Sequence, residues 1–469
     1  MTETLHEAAP AARPIEESFD ASVSGDASVS GGASVSGGAS VSHAAAGSSA
    51  SSDATDRDAT AWDAAAWDVL LAEASQQVRQ REAEHVLPRA LLAQLLQLGF
   101  GRVRVPVAHG GFGWSLRETF EHLTDLAAAD SHLAHLFRGH FVLLEEVALF
   151  AEPGERELWF ARAVAGDFIG NAQSEKSETL DIATTLTREG DRLVLSGTKY
   201  YTTGSIYADW IDLLATNEDG DLVLATVSTD QPGVVSEDDW DGFGQQLTGT
   251  GTTHFTSALV NPAHVRGTDR STVEGQLRQG LFQLVLLAVI AGIGQAAVSE
   301  SVTYVQGRRR LFGRLGATEV REDPLVQDTI GSASSGAFAA RTLVLAVAER
   351  WDQIIGLHQE GLATEADFRE GKRDVYRIQG EIVDRVLALT TDLFEVGGAS
   401  QVSTRHGFDR FWRHARTVAS HNPMKQRRRL IGAYELGVEE SAEQFGDVAP
   451  TTPAPSATPR DLTAPGAHR

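Results

Sequence analysis

A chain of 469 residues with 64 acidic and 40 basic side chains and no cysteine excludes several classes of function. Its net charge of −24 repels nucleic acid and anionic membrane surfaces. Without a thiol there is no disulfide, thiolate metal site or cysteine nucleophile, which fits the reducing cytoplasm expected for it.

Residues 1–14 lack a basic region followed by an apolar stretch, so no signal peptide is expected. Within residues 1–60, the stretch 15–60 is rich in Ser, Ala, Gly and Val, and ASVSG recurs from Ala21 onward. Such a segment offers too little apolar bulk to offset its ordering entropy and predicts a disordered low-complexity tail. An N-terminal helical domain is predicted over 61–168, because apolar residues recur at three and four through 67–98 and 116–150. The glycine-dense stretch 108–114 between them reads as a loop.

Over 169–270 the pattern changes to a central antiparallel β domain. Short β-rich runs at 183–188, 192–196, 210–216 and 222–227 are punctuated by turns at Glu189-Gly190 and Asp219-Gly220. Helical spacing returns over 271–442, in segments near 274–310, 323–357, 364–396 and 407–440, predicting a C-terminal four-helix bundle. Residues 443–469, rich in Pro, Thr and Ala, read as a second disordered tail. The fold class is α+β, in the order helical domain, β domain, helical bundle.

Two patterns invite misreading. Residues 281–298 are nearly all apolar and long enough for a minimal membrane span, but they carry Gln283 and Gln295 and run on into a polar helical pattern, so a buried helix is expected. Gly292-Ile-Gly294-Gln-Ala-Ala297 matches a dinucleotide fingerprint, which works only at a strand-to-helix turn. Inside an apolar helix those glycines instead allow close packing. No nicotinamide-binding domain is expected.

Gly197-Thr-Lys-Tyr-Tyr-Thr-Thr-Gly204, Arg308-Arg-Arg-Leu-Phe-Gly313, Phe394-Glu-Val-Gly-Gly398 and Arg410-Phe-Trp-Arg413 stand in the α-β-α frame in an order that resembles the acyl-CoA dehydrogenase superfamily. Those dehydrogenases remove an α-proton from an acyl thioester with a glutamate of the last domain. The matching segment here, Ser420-His-Asn-Pro423, puts Asn422 at that place, and an amide cannot take the proton. Gly170-Asn-Ala-Gln-Ser-Glu175, Glu237-Asp-Asp-Trp240, Gly407-Phe-Asp-Arg-Phe-Trp-Arg413 and His421-Asn-Pro423 resemble instead the flavin-dependent monooxygenases related to dibenzothiophene monooxygenase. His132-Leu-Ala-His-Leu-Phe137 is similar to a first-domain motif of that group.

That resemblance implies reduced FMN supplied by a separate NAD(P)H:flavin reductase, with FAD the lesser alternative. It further implies O2, a C4a-(hydro)peroxyflavin, a small organic substrate with organosulfur compounds among the candidates, and a homotetramer. It carries His421 over as the leading catalytic candidate, with a histidine's ordinary pKa near 6.5 suited to donating a proton. His135, Asn171 and Thr203 join it as catalytic candidates. Asn171, Ser174, Thr202, Thr203, Arg310, Phe312, Gly397 and Gly398 are the candidate cofactor contacts, with Arg308 and Arg309 able to replace Arg310 at the FMN phosphate. Trp240, Gly139 and Val418 are expected to line the substrate pocket. Gly139 and Val418 replace a tyrosine and a histidine of the relatives, suggesting a roomier site, and Ser400 replaces an arginine near the Gly-Gly segment. No metal site is expected. An FAD-dependent acyl-CoA dehydrogenase or oxidase, and a non-catalytic binding protein on the same scaffold, remain as alternatives.

Overall fold

The computed structural model describes residues 61–176, 182–308 and 319–438; both tails and the segment holding Arg309, Arg310 and Phe312 lie outside them. The helical start divides at each chemical break in its pattern. Helix α1 (Ala64–Glu84) is capped by the Asp63 carboxylate and ends at His85 in the left-handed region, and α2 (Arg89–Leu98) begins after Pro88. Its buried Trp67, Leu70, Ala74 and Val78 recur at three and four, the stripe that seats α1 on the core. A capping box of Ser115 and Glu118 opens α3 (Leu116–Ala129). Asp130 then caps α4 (Ser131–Phe150), splitting what periodicity alone reads as one helix. Helix α5 (Pro153–Ala165) leads into the sheet.

The sheet is built from β1 (Ile169–Ala172), β2 (Thr185–Glu189), β3 (Arg192–Lys199), β4 (Trp210–Thr216), β5 (Leu222–Ser228), β6 (Val234–Ser236), β7 (Thr253–Val260) and β8 (Val265–Gly267). Its path is β6-β7-β3-β2-β4-β5-β8, with β1 beside β4. The hairpins β2–β3 and β4–β5 are antiparallel at the predicted turns. However, β1 runs parallel to β4, and β2 touches β4 in parallel. The sheet is thus antiparallel in its other pairings, as expected, with two parallel pairings added at β4: β1 arrives from a helix, and no tight turn dictates its direction.

The C-terminal helices are α6 (Val273–Gly307), α7 (Pro324–Gln359), α8 (Glu365–Asp392), the short α9 (Phe394–Gly397), α10 (Asp409–Ala419) and α11 (Met424–Glu435). The predicted last segment breaks before Pro423. That break exposes the turn that carries His421. The apolar window of α6 is 83% buried, so it is the central rod of the bundle. A Cβ at Gly292 would meet the Ala127 Cβ at 2.5 Å and the Thr124 carbonyl at 2.6 Å, which is why glycine stands there. The fingerprint-like glycines thus serve helix packing.

Candidate active site

The first half of α4 meets β1, the loops after β3 and before β7, the start of α6 and the α10–α11 turn. His135 and Arg138 sit one helical turn apart on α4 and are both buried. His135 donates from Nδ1 to Gln245 Oε1 at 3.1 Å, because the Gln245 amide nitrogen is spent on Ser131 Oγ at 2.9 Å. This leaves His135 Nε2 a bare lone pair, buried and without a protein partner. Burial first, then the Arg138 charge, push its pKa down to about 3, so the ring is neutral.

Arg138 donates from Nη1 to His421 Nε2 at 3.0 Å. A guanidinium can only donate, so His421 must accept there and carry its proton on Nδ1. As a residue His421 is exposed, yet burial of the imidazole and the Arg138 charge hold its pKa well below the ordinary value. An imidazolium presenting Nε2–H is therefore not what this geometry offers. Asn422 bonds its side-chain amide to Gln283 Oε1 on α6, and its carbonyl accepts from Gln379 at 3.2 Å on α8. Two side-chain amides, those of Asn422 and Gln283, thus face each other between the α10–α11 turn and α6.

Asn171, on β1, is buried with its side-chain oxygen unpartnered. Beside it a hydroxyl relay can be assigned proton by proton. Thr248 donates to the Gln245 carbonyl at 2.8 Å. Its single hydrogen is then used, so Thr250 donates to Thr248 at 2.6 Å. By the same logic Thr203 donates to Thr250 at 2.9 Å. Thr203 Oγ thus faces any ligand as an acceptor only. Thr202 is fully employed, donating to the Gly251 carbonyl at 3.0 Å and accepting from Thr253 at 2.8 Å. It braces the loop.

Other expected residues take different places. Gly139 does not open onto space: a Cβ there would lie 2.8 Å from the Asn171 Cβ and 3.1 Å from the Gly170 carbonyl carbon. The glycine lets α4 approach β1 and sets Asn171 against the helix. Val418 is core, 3% exposed. Trp240 is half-buried, bonded to the Gly244 carbonyl at 3.0 Å and edge-on to Tyr201. Ser174 is exposed and makes its bond through its carbonyl, to the Tyr200 amide at 2.9 Å. Gly397 and Gly398 form a turn next to the far end of α6, where Arg308 reaches the Val396 carbonyl. Phe282, whose carbonyl holds Arg138 Nε, and Arg308 lie 26 residues apart along α6 and its cap. At 1.5 Å per residue that is about 39 Å.

Gln245 was missed by sequence reasoning because its role comes from a buried, positive-φ loop position (φ 56°) that no motif marks. Its amide N–H also donates to His414 Nδ1 at 2.9 Å, and His414 Nε2 reaches Glu82 at 2.8 Å. His132 completes a cluster of Glu82, His132 and His414 that has metal-ligand composition. The assigned protons argue against a metal there. With Nδ1 accepting from a backbone amide, His414 keeps its hydrogen on Nε2 and has no lone pair there for a cation. The cluster instead ties α1, α4 and α10 together behind Gln245.

Acyl-CoA dehydrogenase family models match this chain in all three parts: the N-terminal domain over 57–167, the middle domain over 172–258 and the C-terminal domain over 284–426. Dibenzothiophene monooxygenase of Rhodococcus erythropolis is 29% identical over 71% of this chain and 83% of its own. An FMN-bound crystal structure from Paenibacillus sp. A11-2, of an enzyme also described as a dibenzothiophene monooxygenase, superposes with a TM-score of 0.74 at 29% identity, covering 80% of this chain and 98% of that one. Methanesulfinate monooxygenase of Pseudomonas fluorescens gives a TM-score of 0.74 at 26% identity, over 81% of this chain and 97% of that one. With all three domains matched in order, the chain belongs to the acyl-CoA dehydrogenase family.

Proposed function

We propose that this protein is a flavin-dependent monooxygenase that takes reduced FMN from a separate NAD(P)H:flavin reductase and uses O2 to oxygenate a small organic molecule, organosulfur compounds being the first to test. The observation that carries this reading is the character of the site. It presents a bare Asn171 oxygen, a bare His135 nitrogen and an acceptor-only Thr203, and no carboxylate among the described residues is hydrogen-bonded to His135, Arg138, Asn171 or His421. Reduced flavin supplies the electrons that activate oxygen. Reduced flavin also gains an N–H where the oxidised ring has a lone pair, and Thr203 Oγ can accept from it. Asn171 supplies a second polar contact, and neutral His135 offers an acceptor that does not itself bring charge. The relatives named above support FMN over FAD.

The two sets of candidate flavin contacts support an assembly of at least two copies, in keeping with the homotetramer that the resemblance implies. The α4–β1 site and the Gly397–Gly398 turn with Arg308 lie about 39 Å apart along α6, further than one FMN spans. They can serve one flavin only if supplied by different copies of the chain.

The test is anaerobic titration with reduced FMN followed by mixing with oxygenated buffer and dibenzothiophene or methanesulfinate. Tight binding of reduced FMN and product carrying one atom of 18O2 are expected. Bleaching of bound flavin by an acyl-CoA under anaerobic conditions would identify a dehydrogenase instead, and absence of flavin binding would point to a non-catalytic scaffold.

A further inference from the structure

From the charge balance around α4 we infer that Arg138 is a substrate-binding residue and that the natural substrate carries an anionic oxygen head group, a sulfinate or a carboxylate. The inference rests on the flavin oxygenase reading and narrows it.

Arg138 is 6% exposed, and a buried guanidinium is ordinarily matched by a carboxylate. The acids in this region are already spoken for. Asp212 holds Arg278 at 2.5 Å and Arg266 at 2.8 Å, and Glu146 holds Arg278 from the other side. That quartet sets two acids against two arginines, and burial pushes Glu146 up to about 7, so it has no negative charge left over for Arg138. Arg138 is the surplus charge beside it, and Arg278 repels it: burial first and Arg278 second lower its pKa to about 9, which still leaves it charged at neutral pH. Its described partners are all uncharged. Nε donates to the Phe282 carbonyl at 3.1 Å, Nη1 to His421, and the plane lies 4.5 Å from the centre of the Phe282 ring. Nη2 has no hydrogen-bond partner among the described residues.

A cation held this way is one ion short. The missing partner belongs to the site, because Arg138 binds His421, lies one turn from His135 and adjoins Gly139, which packs on Asn171. A planar fork with free donors suits two oxygens of one head group. Binding there would put the group's reactive atom among His135, His421 and Asn171 while neutralising the charge.

The test is calorimetric titration of the full-length protein, loaded with FMN, using methanesulfinate and benzoate as anionic probes and indole as an uncharged one. Wild type should bind at least one anion, and which of the two decides between sulfur and carbon head groups. Arg138→Met, similar in length but uncharged, should weaken that anion about tenfold or more and leave indole unchanged. Arg138→Lys, with the charge but not the fork, should fall between them. A wild type that binds indole but neither anion overturns the inference, as does Arg138→Met binding the anion like wild type. Arg138-dependent anion binding in a chain that holds no FMN would keep it and remove the flavin reading beneath it.

Discussion

A single hydrogen decides what Thr203 can do. Because Thr248 and Thr250 consume every donor between Thr203 and the Gln245 carbonyl, the relay has one direction. Replacing Thr248 with Val removes its end point and frees Thr250 to donate backwards to Thr203, which then regains a donor. The expected outcome is a smaller preference for reduced over oxidised FMN, by about 1 kcal/mol or severalfold in the ratio of dissociation constants, read by anaerobic and aerobic fluorescence titration. An unchanged ratio would mean Thr203 does not meet the flavin edge.

Protonation also sets acid tolerance at this scale. Unfolded, each histidine binds a proton as pH falls through about 6.5. Folded His135 and His140 bind one only near about 3 and about 4, held down first by burial. Between those values the unfolded chain holds more protons, so stability falls as pH drops from 6.5 towards 4. His132 opposes this: burial lowers its pKa, but Asp130 more than compensates, so its contribution is present below 6.5 and lost as pH rises. His264, His414 and His421 are lowered as well, while buried Glu146, pushed up to about 7, sides with His132. With five lowered histidines against these two groups, urea midpoints should be lower at pH 5 than at pH 7.5.

At the scale of elements, the order of helices and strands was legible because the two periodicities, 3.6 and 2, are written locally. The splits at Asp130 and before Pro423 were marked by a cap and a proline that periodicity alone overlooks. The site was legible only in part. Asn171 and His421 stand out through the family motifs, whereas Gln245 and the role of Arg138 depend on partners more than 100 positions away. Gly139 shows why small residues mislead: a sequence cannot distinguish a glycine that opens a cavity from one that admits a neighbouring strand. Gly292 poses the same question with a measurable answer. Alanine has the better helix propensity by about 1 kcal/mol, but its methyl would meet the backbone of α3, which cannot swing aside. Gly292→Ala should therefore lower the melting temperature, by a net cost of about 1–2 kcal/mol.

Across the whole molecule, one buried charge cluster joins the three structural parts. Asp212 on β4, Glu146 on α4, Arg278 on α6 and Arg266 on β8 meet in it. Asp212→Asn would leave two buried arginines with a single carboxylate and should cost about 3–5 kcal/mol, seen in denaturant unfolding. Loss of less than 1 kcal/mol would show that water reaches the cluster and screens it.

The length of α6 has a further consequence if the flavin contacts come from different copies. A lone protomer then grips the cofactor at one end only, and ligand occupancy becomes thermodynamically linked to assembly. Dilution alone would strip FMN from the protein, and added FMN would drive subunits back together. Retention of the cofactor would then vary with protein concentration as well as with flavin concentration.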